Sequence, residues 1–252
     1  MKIAVITGAS AGLGKEYLKQ TLKKYPELDE FWVIARREDK LKELTSLDEK
    51  RVVPFPLDLC EYASYSKLDA ALKEKNAEIK IFINNAGFGS IGNVDEEDGE
   101  KISKIVDLNC RALTFLSNVA LKYMKEGSCM INICSIAGFC PNPRMTVYSS
   151  SKAYVYAFSQ SLRFELKKKK INVLAVCPGP METEFLSVAG ISKQNSKAFA
   201  TLPYCDPVKV VANSLKAAEK GKGVYTPRAF YKFYRFAAKI VPKSILMHAT
   251  KT

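Results

Sequence analysis

Histidine is nearly missing from this chain. Its one copy among 252 residues is His248, near the end, and no Cys/His spacing offers a zinc site. Long apolar runs are missing too: none approaches the roughly 18 residues that cross a bilayer as a helix. The opening "MKIAVITGAS" passes from a short apolar run into glycine, which does not read as a signal peptide. The seven cysteines are odd in number and scattered, and Cys134 and Cys177 sit inside apolar runs. That pattern excludes a disulfide framework and suits buried free thiols in a reducing cytoplasm. Linkers, low-complexity tracts and internal repeats are likewise absent, so a single domain is expected.

Acidic residues run out toward the C-terminus. From Val208 to Thr252 there are ten Lys or Arg and one acid, Glu219, which places +9 of the formal +13 in that stretch. A basic end is either a solvated face or a surface for an anionic ligand, an acidic membrane or nucleic acid. Nothing else in the sequence supports nucleic acid.

What is present is a regular alternation. Strand-like runs lie at 2–6, 31–35, 51–57, 79–83, 129–134, 171–176 and 223–226. Most are nearly continuous Val, Ile and Phe, as parallel strands buried on both faces require. Helix candidates separate them: Gly12–Lys24, Glu61–Lys75, Ile102–Lys125, Val147–Lys169 and Pro207–Lys220. The four lysines Lys167 to Lys170 close the fourth of these, at the negative end of its dipole. Strand–helix alternation predicts an α/β fold, a doubly wound parallel sheet with helices on both faces.

The first strand runs into "TGASAGLG", with Gly8, Gly12 and Gly14 before a helix. Glycine serves where backbone must turn tightly and approach a pyrophosphate. The helix start offers N–H groups and a positive dipole end to the phosphates. Gly8, Ser10, Gly12, Leu13 and Gly14 are therefore dinucleotide-binding candidates. The second strand ends "IARRED". An acid there would grip the ribose 2′-OH of NAD and repel a 2′-phosphate. Arg36 can fork onto that phosphate instead, so NADP(H) is expected. Arg37 either assists or points away, and Glu38 and Asp39 are expected to cap the next helix.

These motifs resemble the short-chain dehydrogenases/reductases, single-domain Rossmann oxidoreductases, over about Lys2 to Thr226. "LDL" sets Asp58 and Leu59 where the family contacts adenine. "NNAG" supplies Asn85, Ala86 and Gly87 on the adenosine side. "PGPMET" supplies Pro178, Gly179, Met181 and Thr183 on the nicotinamide side. Asn109, Ser135, Tyr148 and Lys152 fill all four places of the family's catalytic set. Two departures stand out. Cys134 replaces the usual serine or threonine before Ser135, and Ala11 replaces an arginine that many NADP-binding members carry in the turn.

The chemistry suits these residue types. Tyr148 and Lys152 are four apart on a helix and so adjacent. A nearby ammonium is expected to lower the Tyr148 pKa toward neutrality, although "YSSSK" alone reads sooner as an amphipathic helix surface. Lys152, by the resemblance, also holds the nicotinamide ribose. Ser135 would donate to the substrate oxygen, and Asn109 would position a water in the family's proton relay. The three intervening serines are expected to be spacer and pocket wall.

The segment at about 181–203 should be a substrate lid. Phe88, Phe139, Phe185 and Leu186 are the substrate candidates, and apolar walls suit a greasy ketone or secondary alcohol. A steroid or bile acid is the expected substrate class, in a hydroxysteroid-dehydrogenase-like carbonyl reductase. A 3-oxoacyl-thioester reductase is the alternative, and a non-catalytic NADP(H) sensor is the alternative of another class. By resemblance a homodimer or homotetramer is expected, through the helices at 102–125 and 147–169. Residues 227–252 form a basic amphipathic extension, with Phe230, Phe233, Tyr234, Ala237 and Val241 at helical spacing until Pro242. That stripe packs on the domain or a partner subunit, lines the pocket entrance, or meets an anionic membrane weakly.

Overall fold

A computed structural model describes residues 1–192, 194 and 196–250. Two residues of the expected lid, Lys193 and Asn195, and the terminal Lys251 and Thr252 lie outside the described residues. Seven parallel strands form one sheet in the order β3-β2-β1-β4-β5-β6-β7. They are β1 Lys2–Thr7, β2 Glu30–Ala35, β3 Val52–Pro56, β4 Glu78–Asn84, β5 Met124–Ile133, β6 Asn172–Val176 and β7 Val224–Tyr225. The helices are α1 Gly12–Lys24, α2 Glu38–Thr45, α3 Tyr62–Glu74, α4 Gly99–Val106, α5 Leu113–Leu121, α6 Thr146–Glu165, α7 Glu184–Val188, α8 Lys197–Thr201, α9 Pro207–Glu219, α10 Ala229–Ile240 and α11 Lys243–Thr250.

The sheet is apolar on both faces because successive side chains alternate between two cores. Ala4 and Ile6 of β1 join Tyr17 and Leu18 of α1 and Val211 and Leu215 of α9. Ile3 and Val5 join Leu68 of α3, Leu116 of α5 and Leu162 of α6 on the other face. Strand order reverses between β1 and β4. The crevice at the carboxyl ends of these strands is where such sheets take ligands, and the glycine turn and "NNAG" both open there.

Three expectations change. The 102–125 helix is not one element. α4 ends at Val106, a π-helical turn spans Asp107–Ala112, and α5 ends at Leu121, so Lys125 belongs to β5. An extra residue in one turn leaves the run of helix-forming residues unbroken, which is why the sequence read as one helix. Glu38 and Asp39 do not cap α2 but form its first turn, with Arg37 at the N-cap position. In α10 the deepest residue is Tyr231, fully buried, while Phe230 and Phe233 are more than half exposed. The Tyr231 hydroxyl donates to Pro203 O at 2.7 Å, and its ring occupies space that a side chain on Gly179 would need. That local fit sets the rotation of α10.

Candidate active site

The cofactor turn is held from behind. Gly8 (φ +64°) and Gly12 (φ +51°) are in the left-handed region that favours glycine. A Cβ on Gly14 would overlap Gly8 O, so α1 approaches the turn closely only because Gly14 has none. Gly8, Ser10, Gly12 and Leu13 line the cleft, whereas Gly14 does not. Asn85 fastens the turn, its Nδ2 donating to Thr7 O (2.9 Å) and Gly8 O (3.1 Å). Thr7 was missed by the sequence reading. Its Oγ1 accepts from the backbone N–H groups of Asn85 and Ala86, both at 3.0 Å. The signal was there, a hydroxyl closing β1 immediately before the glycines. Ala11 at the α1 N-cap supplies no side-chain cap. The first-turn amides therefore remain available to a phosphate, and the turn fits a dinucleotide.

The arginines separate. Arg36 is exposed along the cleft, with no ion-pair partner among the described residues. Arg37 reaches across it to α7, pairing with Glu184 at 2.7 Å, and donates to Ser10 Oγ at 3.1 Å. That hydrogen-bonded pairing holds the Glu184 carboxyl below its usual range. Asp58 accepts from Cys60 N–H at 2.9 Å and lines the cleft with Leu59, Asn85, Ala86 and Gly87, the residues expected on the adenosine side.

Three elements bring the four catalytic candidates together. Ser135 follows β5, Tyr148 and Lys152 lie on α6, and Asn109 sits in the π-helical turn. Ser135 and Tyr148 both line the cleft, and the Ser135 Oγ accepts from Ala137 N–H at 3.1 Å. Lys152 is buried, its Nζ donating to Ile133 O at 2.9 Å and lying 5.8 Å from the Tyr148 ring centre. Burial lowers the Lys152 pKa. The expected lowering of Tyr148 toward neutrality is not found. Burial pushes it up, and the neighbouring Ser135 offsets only part of that rise. The ammonium is spent on a backbone carbonyl, and desolvation of the phenolate dominates.

Asn109 is a strut. Its Oδ1 accepts from Phe88 N–H (3.1 Å), and its Nδ2 donates to Phe88 O (2.9 Å) and Ser151 Oγ (3.0 Å). The serines of "YSSSK" are not pocket wall. Ser151 donates to Tyr148 O at 2.7 Å, and Ser149 accepts from Asn142 N–H at 3.2 Å. Ser150 is exposed. Cys134 is buried, its thiol donating to Lys152 O at 3.1 Å, a packing role beneath the site.

The cleft encloses about 1130 Å³. Pro178, Gly179, Met181 and Thr183, expected on the nicotinamide side, line it. Thr183 takes the N-cap place of α7 without a side-chain capping bond. Its Cβ lies 3.4 Å from where a Cβ on Gly12 would stand. Phe88, Phe185 and Leu186 line the cleft, and the Phe185 ring is 5.4 Å from that of Tyr148. Phe139 does not. It packs edge-on against Tyr156 at 5.4 Å and tilted against Tyr234 at 6.2 Å, because the turn after Ser135 directs it to a small core with Val155. Met145, Phe199, Tyr234 and Leu246 complete the apolar wall. Phe199 belongs to the expected lid segment, whereas no motif in the sequence pointed to Met145.

The profile of the short chain dehydrogenase family matches residues 2–194. The chain belongs to this family of oxidoreductases. It is similar to an uncharacterized oxidoreductase of Staphylococcus saprophyticus, 32% identical over 188 residues, 72% of this chain and 79% of that one. A very-long-chain 3-oxoacyl-CoA reductase of Rattus norvegicus is 31% identical over 203 residues, 73% of this chain and 61% of that one. Among solved structures, a short-chain dehydrogenase from Sphingobium yanoikuyae in complex with NADPH aligns with TM-score 0.81 at 29% identity, covering 98% of this chain and 96% of that one. The bulky-bulky ketone specific alcohol dehydrogenase from Comamonas testosteroni aligns with TM-score 0.76 at 26% identity, covering 98% and 94%.

Proposed function

We propose that this short-chain dehydrogenase interconverts a hydrophobic ketone and its secondary alcohol, using NADP(H). The observation that carries the reading is that Ser135 and Tyr148 line one cavity together with Phe185 and Leu186. NADPH, when bound, supplies the hydride that the carbonyl carbon receives. The Tyr148 hydroxyl supplies the proton that the oxygen receives, and Ser135 donates a hydrogen bond to that oxygen as negative charge develops. Lys152, its Nζ at the Ile133 carbonyl, holds the ribose side, and Asn109 keeps the Phe88 loop and α6 in place. Steroids and bile acids fit the size and apolar character of the cavity, and the Comamonas relative's bulky-ketone specificity agrees with them. The rat relative and two lysines at the cleft edge, Lys101 and Lys104, favour a 3-oxoacyl thioester as second reading. Spectrophotometric NADPH oxidation with steroid, acyl-thioester and aromatic ketones separates the two. A protein that consumes NADPH with none of them and still binds it would be a sensor.

Arg36 is the residue we assign to the 2′-phosphate. Arg36→Asp should lower the preference for NADPH over NADH by about 10- to 100-fold, the scale of one lost charge-assisted bond plus a repulsive carboxylate. The ratio of kcat/KM values reads this directly, and an unchanged ratio would remove the assignment. We also infer a homodimer through α5 and α6, where Phe115 and Tyr154 are exposed. Light scattering of the purified protein should give twice the chain mass, and a monomer at micromolar concentration would contradict it.

A further inference from the structure

The two C-terminal helices turn an apolar face to solvent. Tyr231 anchors α10 against Gly179 and Pro203, so its opposite side is fixed outward. That side carries Phe233 (69% exposed), Phe236 (60%), Ile240 (67%) and Phe230 (53%). At 100° per residue these four fall within an arc of about 120°. Ile245 of α11 adds a further exposed apolar side chain. Lys232 and Lys239 flank the arc, Lys243 begins α11, and no acid occurs after Glu219. Large aromatic side chains gathered in water mark a contact surface.

Charge decides what covers it. A two-fold contact with a second copy would bring the same patch against itself, lysines facing lysines with no carboxylate from this segment between them. An anionic lipid surface complements both parts of the face: the phenyl and isoleucyl groups enter the headgroup boundary, and the ammonium groups meet lipid phosphates and carboxylates. Among the described residues no helix is long and apolar enough to cross a membrane, which leaves in-plane docking. We propose that α10 and α11 seat the enzyme on an anionic lipid surface. The other sides of the same helices reach the substrate cavity, which Tyr234 and Leu246 line. Phe230, half exposed and lining the cavity, stands at its mouth. Docking therefore sets the mouth beside the bilayer, where a hydrophobic ketone dissolves. That use rests on the substrate reading above, whereas the docking itself does not.

The test is vesicle co-sedimentation without substrate or cofactor. Full-length protein should pellet with phosphatidylcholine vesicles containing about 30% phosphatidylserine, and high salt or pure phosphatidylcholine should release it. Phe233→Ser/Phe236→Ser/Ile240→Ser, at positions outside the cavity wall, should weaken binding at least about tenfold while NADPH affinity and melting temperature hold. Lys232→Glu/Lys239→Glu, which spares the apolar arc, should give a similar loss. Wild-type protein that stays in the supernatant overturns the proposal, as does vesicle binding unchanged in both variants. So does light scattering in which the triple variant, without lipid, splits an oligomer, since a second copy would then own the face. None of these readouts involves turnover, so they stand apart from the reading of the reaction.

Discussion

Tyr148→Phe should bind NADPH as the wild type does and turn over about 10²- to 10⁴-fold more slowly, the usual contribution of a positioned proton donor. The substitution removes one hydroxyl and leaves the ring against Phe185. Cofactor titration by fluorescence checks the first half, and initial rates with any accepted ketone check the second. A loss of less than about tenfold would mean that proton delivery runs through another group. The pH dependence has a definite sign. Burial raises the Tyr148 pKa in the free enzyme, so the hydroxyl keeps its proton through neutrality. Burial lowers that of Lys152, so the ammonium is lost at a lower pH than in a free lysine. The kcat/KM for carbonyl reduction should then hold on the acid side and decline as pH rises through these two titrations. A decline toward acid between neutrality and mildly acidic pH would contradict the assignment of Tyr148 as donor.

Gly14→Ala should cost more stability than any other single-methyl addition in the turn. The new Cβ would overlap Gly8 O and stand 2.6 Å from Asn85 Nδ2. Neither neighbour can retreat: Gly8 is backbone, and the Asn85 side chain is tied to Thr7 O and Gly8 O. Overpacking of this kind costs about 1–3 kcal/mol. For a domain of this size that lowers the melting temperature by about 3–10 °C. NADPH affinity should fall as well, since the displaced loop is the one that faces the phosphates. Differential scanning fluorimetry with and without NADPH reads both effects. Unchanged melting would show that α1 tilts away without penalty. Gly12→Ala offers a contrast, because a Cβ there meets only Thr183 at 3.4 Å. Its cost comes from the left-handed backbone at φ +51°.

The sheet was legible in the sequence because its strands are buried on both faces. A run such as Phe31 to Ala35 has no reason to be so apolar elsewhere. The cofactor turn was legible because close backbone approach demands glycine, and glycine is visible in one sequence. The four catalytic candidates were legible as a constellation in family order, since no single member is distinctive. What escaped depends on tertiary contacts. Nothing in "IARRED" says that Arg37 will cross to Glu184, a residue 147 positions later. Phe139 was assigned to the cavity by its place after a motif, yet a short helical turn at Ile136–Gly138 carries it to Tyr156 and Tyr234. The α10 stripe was left open between core, pocket mouth and membrane because Phe, Tyr and Ala occupy almost every face of that helix. Only the gap at Gly179 selects Tyr231.

The widened turn at Asp107–Ala112 has a mechanical meaning. One residue more per turn rotates everything after it by about 100° relative to what precedes it. α4 and α5 thus run as one rod with two phases. Before the step, the rod offers Lys101 and Lys104 to the cleft. After it, the rod presents Leu116, Val119 and Ala120 to the sheet. Asn109 stands on the step itself, and an unbroken rod bringing either half into register would turn the other half away. The extra residue works as a phase adjuster. It lets a single helical span meet the cleft at one end, the core at the other, and carry the strut between Phe88 and Ser151 at the join.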